Sequence, residues 1–261
     1  MNDENISELW RFRELLYFLA LRDVKIRYKQ AVLGVAWAIL QPLFAMIIFS
    51  LVFGRVAGMH SAGVPYPLFA FCALVPWTYF SGTVSLAGNS LIANSNLITK
   101  VYFPRVLLPA ASALGGLIDF CISSIFLLGM LIYYRVPPGR SMLLAPLFVA
   151  GTMLLAFSVS MLLAALNVRY RDVKHAITFL IQIWLFATPI IYPVTSLSTK
   201  LQRVMALNPL AGMIDGFRAS VIPDQPMDLT LVISSIAITL GLFLIGTLYF
   251  RKTEREFADI I

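Results

Sequence analysis

Six long hydrophobic stretches with almost no charged residues divide this 261-residue chain. Each is close to or above the ~20 residues that a helix needs to cross a hydrocarbon core of ~30 Å. In lipid only a helix satisfies all of its backbone hydrogen bonds within a single segment. The alternation of apolar and polar residues that is typical of transmembrane barrel strands is absent from the sequence. We therefore predict an all-α integral membrane protein with six transmembrane helices. The predicted spans are 31–53, 68–93, 106–134, 142–168, 176–194 and 229–250.

The composition argues against a soluble helical protein of the same length. Soluble domains carry about 25% charged residues, whereas this chain has 13% charged and 59% hydrophobic residues. Its mean hydropathy is +0.84. A chain of this composition is typical of a membrane domain.

The lysines and arginines between the spans predict the orientation. With a cytoplasmic N-terminus, fourteen of the 20 cations lie on the inside and six on the outside. Cytoplasmic loops carry the excess of Lys and Arg, so we predict a multi-pass protein of the cell inner (cytoplasmic) membrane with both termini cytoplasmic. A basic cytoplasmic face that attracts anionic lipid accounts for the net charge of +7 without any nucleic acid.

Residues 1–30 precede the first span, and residues 31–261 form the transmembrane domain. The segment 7–30 predicts an amphipathic helix along the cytoplasmic interface, because its polar and apolar residues fall on different sides at 100° per residue. Arg13 and Arg27 interrupt the pattern. The helix therefore either anchors at the interface, or bends or presents a face to a protein partner. The apolar side contains Leu9, Phe12, Leu16 and Leu19.

A second short helix is predicted in the cytoplasmic loop 94–105. Asn94 or Ser95 can cap it, and Pro104 separates it from the third span. Its apolar residues indicate either a docking surface for another protein or a turn that packs on its own helices. These residues are Leu97, Ile98, Val101 and Tyr102.

The external stretch 195–228 contains apolar segments that are too short to span. Pro209, Pro223 and Pro226 divide it. Short re-entrant or interfacial helices are therefore expected, because irregular backbone at membrane depth must be covered by protein or water. Such helices form either an outer gate or a structural external cap.

Polar residues inside the spans are candidates for function because burying them unpaired is costly. Asp119 is the only acidic residue deep in a span and has no evident intramembrane basic partner, so packing with Ser123 or Ser124 is favoured over a proton relay. Aromatic rings near hydroxyls and amides suit a carbohydrate path, although helix contacts use the same residues. The path candidates are Trp77, Tyr79, Phe80 and Asn89.

The sequence predicts neither a catalytic nor a metal site. It contains no GxxxxGK[ST] loop to hold ATP phosphates, and its two cysteines and two histidines lack metal-ligand spacing. The spans are also too poor in ionisable residues for an ion-coupled carrier. Active transport by this chain would draw its energy from a partner, and no cofactor is expected in the chain itself.

Several motifs resemble those of ABC-2 type permeases that export O-antigen, capsular polysaccharide and teichoic acid. The residues from Arg27 to Trp37 read RYKQAVLGVAW and are followed by Gln41-Pro42. They are similar to the family's RYK-x(3)-LG-x(2)-W signature with its downstream proline; Ala31 stands where serine is frequent. The motif residues are Arg27, Tyr28, Lys29, Gly34, Trp37 and Pro42. Further matches lie at 75–77, 100–105, 167–172, 208–209 and 254–259.

The resemblance covers essentially the whole chain and implies a homodimer bound to two copies of a separate ATPase subunit, which would hold ATP and Mg. It implies that 94–105 is the coupling helix, that 195–228 holds re-entrant helices, and that a polymer channel lies between the protomers. Trp77, Tyr79 and Phe80 are candidates for its lining. The residues expected at the ATPase are Asn94, Leu97, Ile98, Lys100, Val101, Tyr102, Phe103, Arg105, Arg169, Arg171 and Asp172.

The expected function is the permease subunit of an exporter for lipid-linked polysaccharide, without enzymatic activity of its own. One alternative is a permease of the same architecture for drugs or small lipids, which would give drug resistance in cells with intact surface glycan. Another is a membrane scaffold or enzyme of glycan synthesis, which would form no stable ATPase complex.

Overall fold

The computed structural model describes residues 10–29, 34–59, 61, 63–137, 139–170, 172–223, 225–254 and 257. Within these ranges the regular structure is helical and contains no strand. The helices are α1 Arg13–Lys29, α2 Trp37–Phe49, α3 Tyr66–Gly88, α4 Ser90–Ala93, α5 Ser95–Lys100, α6 Leu107–Tyr133, α7 Ala145–Arg169, α8 Val173–Phe186, α9 Thr199–Met205, α10 Pro209–Val221 and α11 Leu229–Glu254.

Five helices are long and apolar enough to cross a membrane. Three of them agree with the predicted spans 106–134, 142–168 and 229–250 to within a few residues. The first begins only at Trp37 and ends in a π-helical turn at Ser50–Val56. The second predicted span, 68–93, ends early because the helix breaks at Asn89 and the chain continues as α4 and α5. The five ranges are Trp37–Val56, Tyr66–Gly88, Leu107–Tyr133, Arg140–Arg169 and Leu229–Glu254.

The predicted helix 176–194 is wrong in its extent. α8 runs from Val173 to Phe186 and has 14 residues, about 21 Å at the usual rise. The chain beyond it is irregular as far as the 3₁₀ turn Val194–Ser196. The hydropathy pattern did not predict this helix end, because it takes no account of the missing N–H groups of Pro189 and Pro193, which a continuing helix requires.

α3 lies at the centre of the protein. Most of its side chains are buried, and it packs against α2, α6, α7 and α10. The last long helix, α11, packs mainly on α7 and α10. Because α3 is enclosed by protein, the remaining long helices present more of their apolar surface outward.

The region predicted as re-entrant or interfacial contains a short buried helix. α10 has 13 residues, too few to span, and nearly all of them are buried against α11, α7 and α3. Gly212 makes this approach possible: a Cβ there would lie 2.3 Å from the carbonyl oxygen of Leu231.

The predicted interface helix packs on its own chain. α1 lies along α6, with Leu19 buried and Phe12 and Leu16 partly buried. The Ser112 hydroxyl of α6 donates to Asp23 Oδ2 at 3.1 Å. Leu9 and the rest of 1–9 lie outside the described residues. The apolar side of α1 is therefore occupied by α6.

We predict that Gly212→Ala lowers the stability of the folded protein by about 1–3 kcal/mol, since the new methyl group must displace the α11 backbone. Gly241→Ala is the matched control, because nothing lies within 4 Å of a Cβ at that position of α11. Thermal unfolding in detergent should show a lower Tm for Gly212→Ala alone. Equal Tm values for the two variants would contradict the close packing of α10 on α11.

Candidate functional site

Five of the six motif residues gather around one cavity, although they come from different helices. The cavity lies between α1, α2, α3 and α6 and has a volume of about 320 Å³. We call it the polar pocket. Lys29 is exposed and does not line it. Its walls are Arg27, Tyr28, Gly34, Trp37, Ala38, Gln41, Pro42, Thr78, Tyr79, Gly82, Thr83, Leu86, Gly116, Asp119 and Ser123.

Two glycines shape the polar pocket. Gly34 has φ +48°, in the left-handed region that glycine adopts without strain, and it begins the 3₁₀ turn that leads into α2. Gly116 allows α6 to approach α3, because a Cβ there would lie 3.0 Å from Thr83 Oγ1. These positions bring the motif of α1 and α2 against the middle of α6.

An ion pair closes one side of the polar pocket: Arg27 Nη1 of α1 donates to Asp119 Oδ2 of α6. The two side chains are only 26% and 27% exposed. Burial lowers the pKa of the Arg27 guanidinium, while the charge of Asp23 opposes that shift. An arginine stays protonated at neutral pH even so, which makes the contact a pair of full charges.

The ion pair corrects two predictions about Asp119. We expected no basic partner, and Arg27 is one. We also expected Asp119 to pack with Ser123 or Ser124, but Ser123 donates to the Ala38 carbonyl at 2.8 Å. Ser124 Oγ is buried without a hydrogen bond among the described residues. The partner was missed because Arg27 is 92 positions away, in a segment assigned to the interface.

Two buried oxygens at the polar pocket, Tyr28 Oη and Asp119 Oδ1, have no hydrogen bond to any described residue. The neighbouring Tyr79 hydroxyl donates to the Ala113 carbonyl at 3.2 Å and is also bonded to the Thr83 side chain. Most buried polar atoms in proteins are bonded, so two oxygens around one cavity without a partner among the described residues indicate polar contents.

The residues predicted for the substrate path lie mostly inside the protomer. Trp77 and Phe80 are buried, and the Phe80 ring packs 5.1 Å from the ring of Trp184. The Asn89 side chain accepts from Asn167 Nδ2 at 3.1 Å, which joins α3 to α7. Tyr79 alone of the four borders the polar pocket. Their contact with cargo stays a prediction.

The predicted docking residues of 94–105 divide into a buried and an exposed set. Ile98 and Phe103 are buried and Leu97 is partly buried in a hydrophobic cluster, which we call the basal cluster. Lys100, Val101 and Tyr102 are exposed, Tyr102 by 86%. We call these three the docking tip. The basal cluster consists of Leu19, Leu91, Ile98, Phe103, Leu107, Leu108, Ala111, Met161, Ala164, Ala165, Val168, Phe250 and Phe257.

Two further docking candidates bond within the chain. The Arg105 backbone N–H donates to Glu254 Oε1 at 2.9 Å, and its guanidinium donates to the Glu254 carbonyl. Asn94 Nδ2 donates to the Ser90 carbonyl at 2.8 Å instead of capping α5. These contacts tie both ends of the loop to the helices beside it.

The remaining docking candidates lie at the loop between α7 and α8. Arg169 and Asp172 are exposed, and the Arg169 guanidinium lies 5.9 Å from the centre of the Tyr170 ring. Arg171 lies outside the described residues. The surface between α7 and α8 therefore stays open to a partner at the positions that the structure describes.

A buried arginine was not anticipated by the sequence. Arg218 of α10 is 2% exposed, lies 3.8 Å from the centre of the Phe69 ring, and donates to the Pro189 carbonyl at 2.8 Å. Asp215 is 4.0 Å away. Arg218 thus holds α10 against the irregular segment after α8. The cation count had placed it among the six external charges, in the stretch 195–228.

Comparison with known proteins gives consistent matches. The sequence profile described as "ABC-2 type transporter" matches residues 14–222. The chain is 29% identical to the O-antigen export system permease protein RfbA of Myxococcus xanthus, over 98% of both chains. It is 28% identical to the protein of that name from Klebsiella pneumoniae, over 95% of both. It is 21% identical to the polysialic acid transport protein KpsM of Escherichia coli, over 90% of this chain and 92% of the relative.

We predict that Asp119→Ala destabilises the protein by about 1–3 kcal/mol, less than for a fully buried pair because both side chains are partly exposed. The loss comes mainly from leaving Arg27 uncompensated. The double variant Arg27→Ala/Asp119→Ala should therefore be more stable than Asp119→Ala. A double-mutant cycle on Tm checks this, and strictly additive effects would show that the two charges do not interact.

Proposed function

Because this chain belongs to the ABC-2 type transporter family, we propose that it is the membrane-spanning permease of an exporter for lipid-linked polysaccharide of the O-antigen or capsular type. Its relatives carry the proposal: O-antigen permeases match along 95% or more of both chains. A polysialic acid transport protein matches along 90%. The names of all three relatives concern polysaccharide, which favours this cargo over drugs or small lipids.

We assign the energy source to a separate ATPase subunit, which would hold ATP and Mg. The docking tip supports this assignment, since an exposed lysine at the end of α5 and an exposed tyrosine just after it lie beside Ile98 and Phe103, which are buried. Exposed aromatic side chains of this kind are enriched at the centres of protein interfaces. The permease itself would perform no chemistry.

For the topology we propose six crossings, with α8 and the irregular segment after it completing the fifth. α10 is too short to span and is buried by the helices around it, as an element that enters the membrane without crossing it must be. It would then be a re-entrant helix. Both termini would be cytoplasmic in the inner membrane, by the excess of cations on that side. Two copies would form the polymer channel between them.

The basal cluster suggests how ATP binding moves the spans. It contains residues from α1, α4, α5, α6, α7 and α11, so α5 packs in one core with five other helices. Close-packed interiors transmit displacement because they have few voids. ATPase closure would therefore push the docking tip and shift α1, α6 and α11 together.

Deleting the gene tests the cargo. We expect completed lipid-linked polymer to accumulate in the cytoplasmic fraction and to disappear from the cell surface, as measured by mass spectrometry of extracted glycan. Restoring the gene should restore export. Normal surface glycan in the deletion strain would reject the polysaccharide proposal and favour efflux of drugs or small lipids.

Substitutions at the docking tip test the partner. Tyr102→Ala and Lys100→Glu should each reduce copurification of the ATPase subunit and polymer export by about tenfold, the effect of losing about 1.4 kcal/mol of binding. Tyr133→Ala and Lys200→Glu are matched controls, because both side chains are exposed and lie outside the loop 94–105. Unchanged copurification and export would place the ATPase elsewhere.

A further inference from the structure

The polar pocket has the donors and acceptors of a binding site but no excess charge. Arg27 and Asp119 neutralise each other, while Asp119 Oδ1 still accepts and the Tyr28 hydroxyl can donate or accept. The Thr83 hydroxyl bonds to the Tyr79 side chain and keeps a lone pair that can accept. A phosphate would be attracted by Arg27 and repelled by the free carboxylate oxygen beside it. A neutral group that both donates and accepts matches this set better.

The walls of the pocket add an apolar component. Trp37 of α2 is 51% exposed, and Tyr79 of α3 also lines the cavity. The C–H faces of a sugar ring stack on such rings while its hydroxyls exchange hydrogen bonds. A volume of about 320 Å³ is at the lower end of ordinary small-molecule sites, which is enough for one ring and too little for a polymer segment.

From these observations we propose that the polar pocket binds a sugar ring of the transported polymer within a single protomer. This inference rests on the proposed function and adds a contact site that is separate from a channel between protomers. Hydroxyls of the sugar donate to Asp119 Oδ1 and Thr83 Oγ1, another accepts from Tyr28, and Trp37 covers one ring face. The same chemistry could come from the polyol headgroup of a lipid, so the experiment separates the two sources.

Gly82 offers a way to fill the pocket without disturbing the protein. Thr78, Gly82 and Leu86 stand on successive turns of α3 and all line the cavity. Nothing lies within 4 Å of a Cβ at Gly82, so a larger side chain enters open space. Gly241 has equally open surroundings on α11 and lines none of the cavities described here, which makes Gly241→Leu the matched control.

We expect Gly82→Leu to reduce polymer export at least about tenfold, as two or more hydrogen bonds to the sugar are lost. Copurification of the ATPase and its ATP hydrolysis should stay at wild-type levels, and Gly241→Leu should export normally. Normal export by Gly82→Leu overturns the inference. If the wild-type complex exports no polysaccharide, the proposed function fails first, and the two failures are thereby distinguished.

Thr83→Val removes a hydroxyl of the pocket wall that bonds to the Tyr79 side chain. We expect a Tm within a few degrees of wild type together with export reduced by about three- to tenfold, the value of one hydrogen bond to the sugar. Ser160→Ala is the control, since that hydroxyl of α7 is also buried and does not line the pocket. Equal export by the two variants contradicts a role for Thr83 in binding.

Photocrosslinking identifies the occupant. p-Benzoylphenylalanine at Leu86, which is exposed at the pocket wall, should link to polymer in cells that make it, detected by glycan blotting and mass spectrometry. The same probe at the exposed Leu240 of α11 should not. A lipid adduct that persists in cells without polymer synthesis assigns the pocket to a headgroup and overturns the cargo assignment. No adduct at Leu86 in exporting cells indicates water alone and also overturns it.

Discussion

The ion pair between Arg27 and Asp119 fixes the relation between the first two helices and the rest of the protein. A lone carboxylate deep in a span, or a lone guanidinium beside it, is costly in hydrocarbon. Their contact therefore holds the end of α1 against the middle of α6. α2 begins only eight positions after α1 ends, so this contact also restricts where the first span can start. The polar pocket exists because of that restriction.

The sequence could predict the long spans because hydropathy depends only on local composition. It predicted α6 and α7 to within a few residues. It could not predict the end of α8, where the apolar pattern continues through prolines that end the helix. Nor could it pair Arg27 with Asp119, since a contact across 92 positions leaves no periodic signal in one sequence.

The same limit applies to the candidate site. The motif from Arg27 to Pro42 was identified by resemblance, yet only the structure brings it to Tyr79 and Thr83 of α3. Aromatic residues of α3 looked equivalent in sequence because span composition does not tell which side of a buried helix meets a cavity. Packing separates them: Trp77 and Phe80 face neighbouring rings, and Tyr79 faces the pocket.

The sequence posed docking and self-packing of the loop 94–105 as alternatives, but a coupling element needs both. A fully exposed helix would yield when a partner pushed it, and a fully buried one would offer nothing to push. Here Ile98 and Phe103 fix the loop in the basal cluster while Tyr102 stays exposed. Arg105 also bonds to Glu254 at the end of α11. In the coupling role that we propose, a force on the tip would thus reach α6 and α11 instead of being absorbed by bending of the loop.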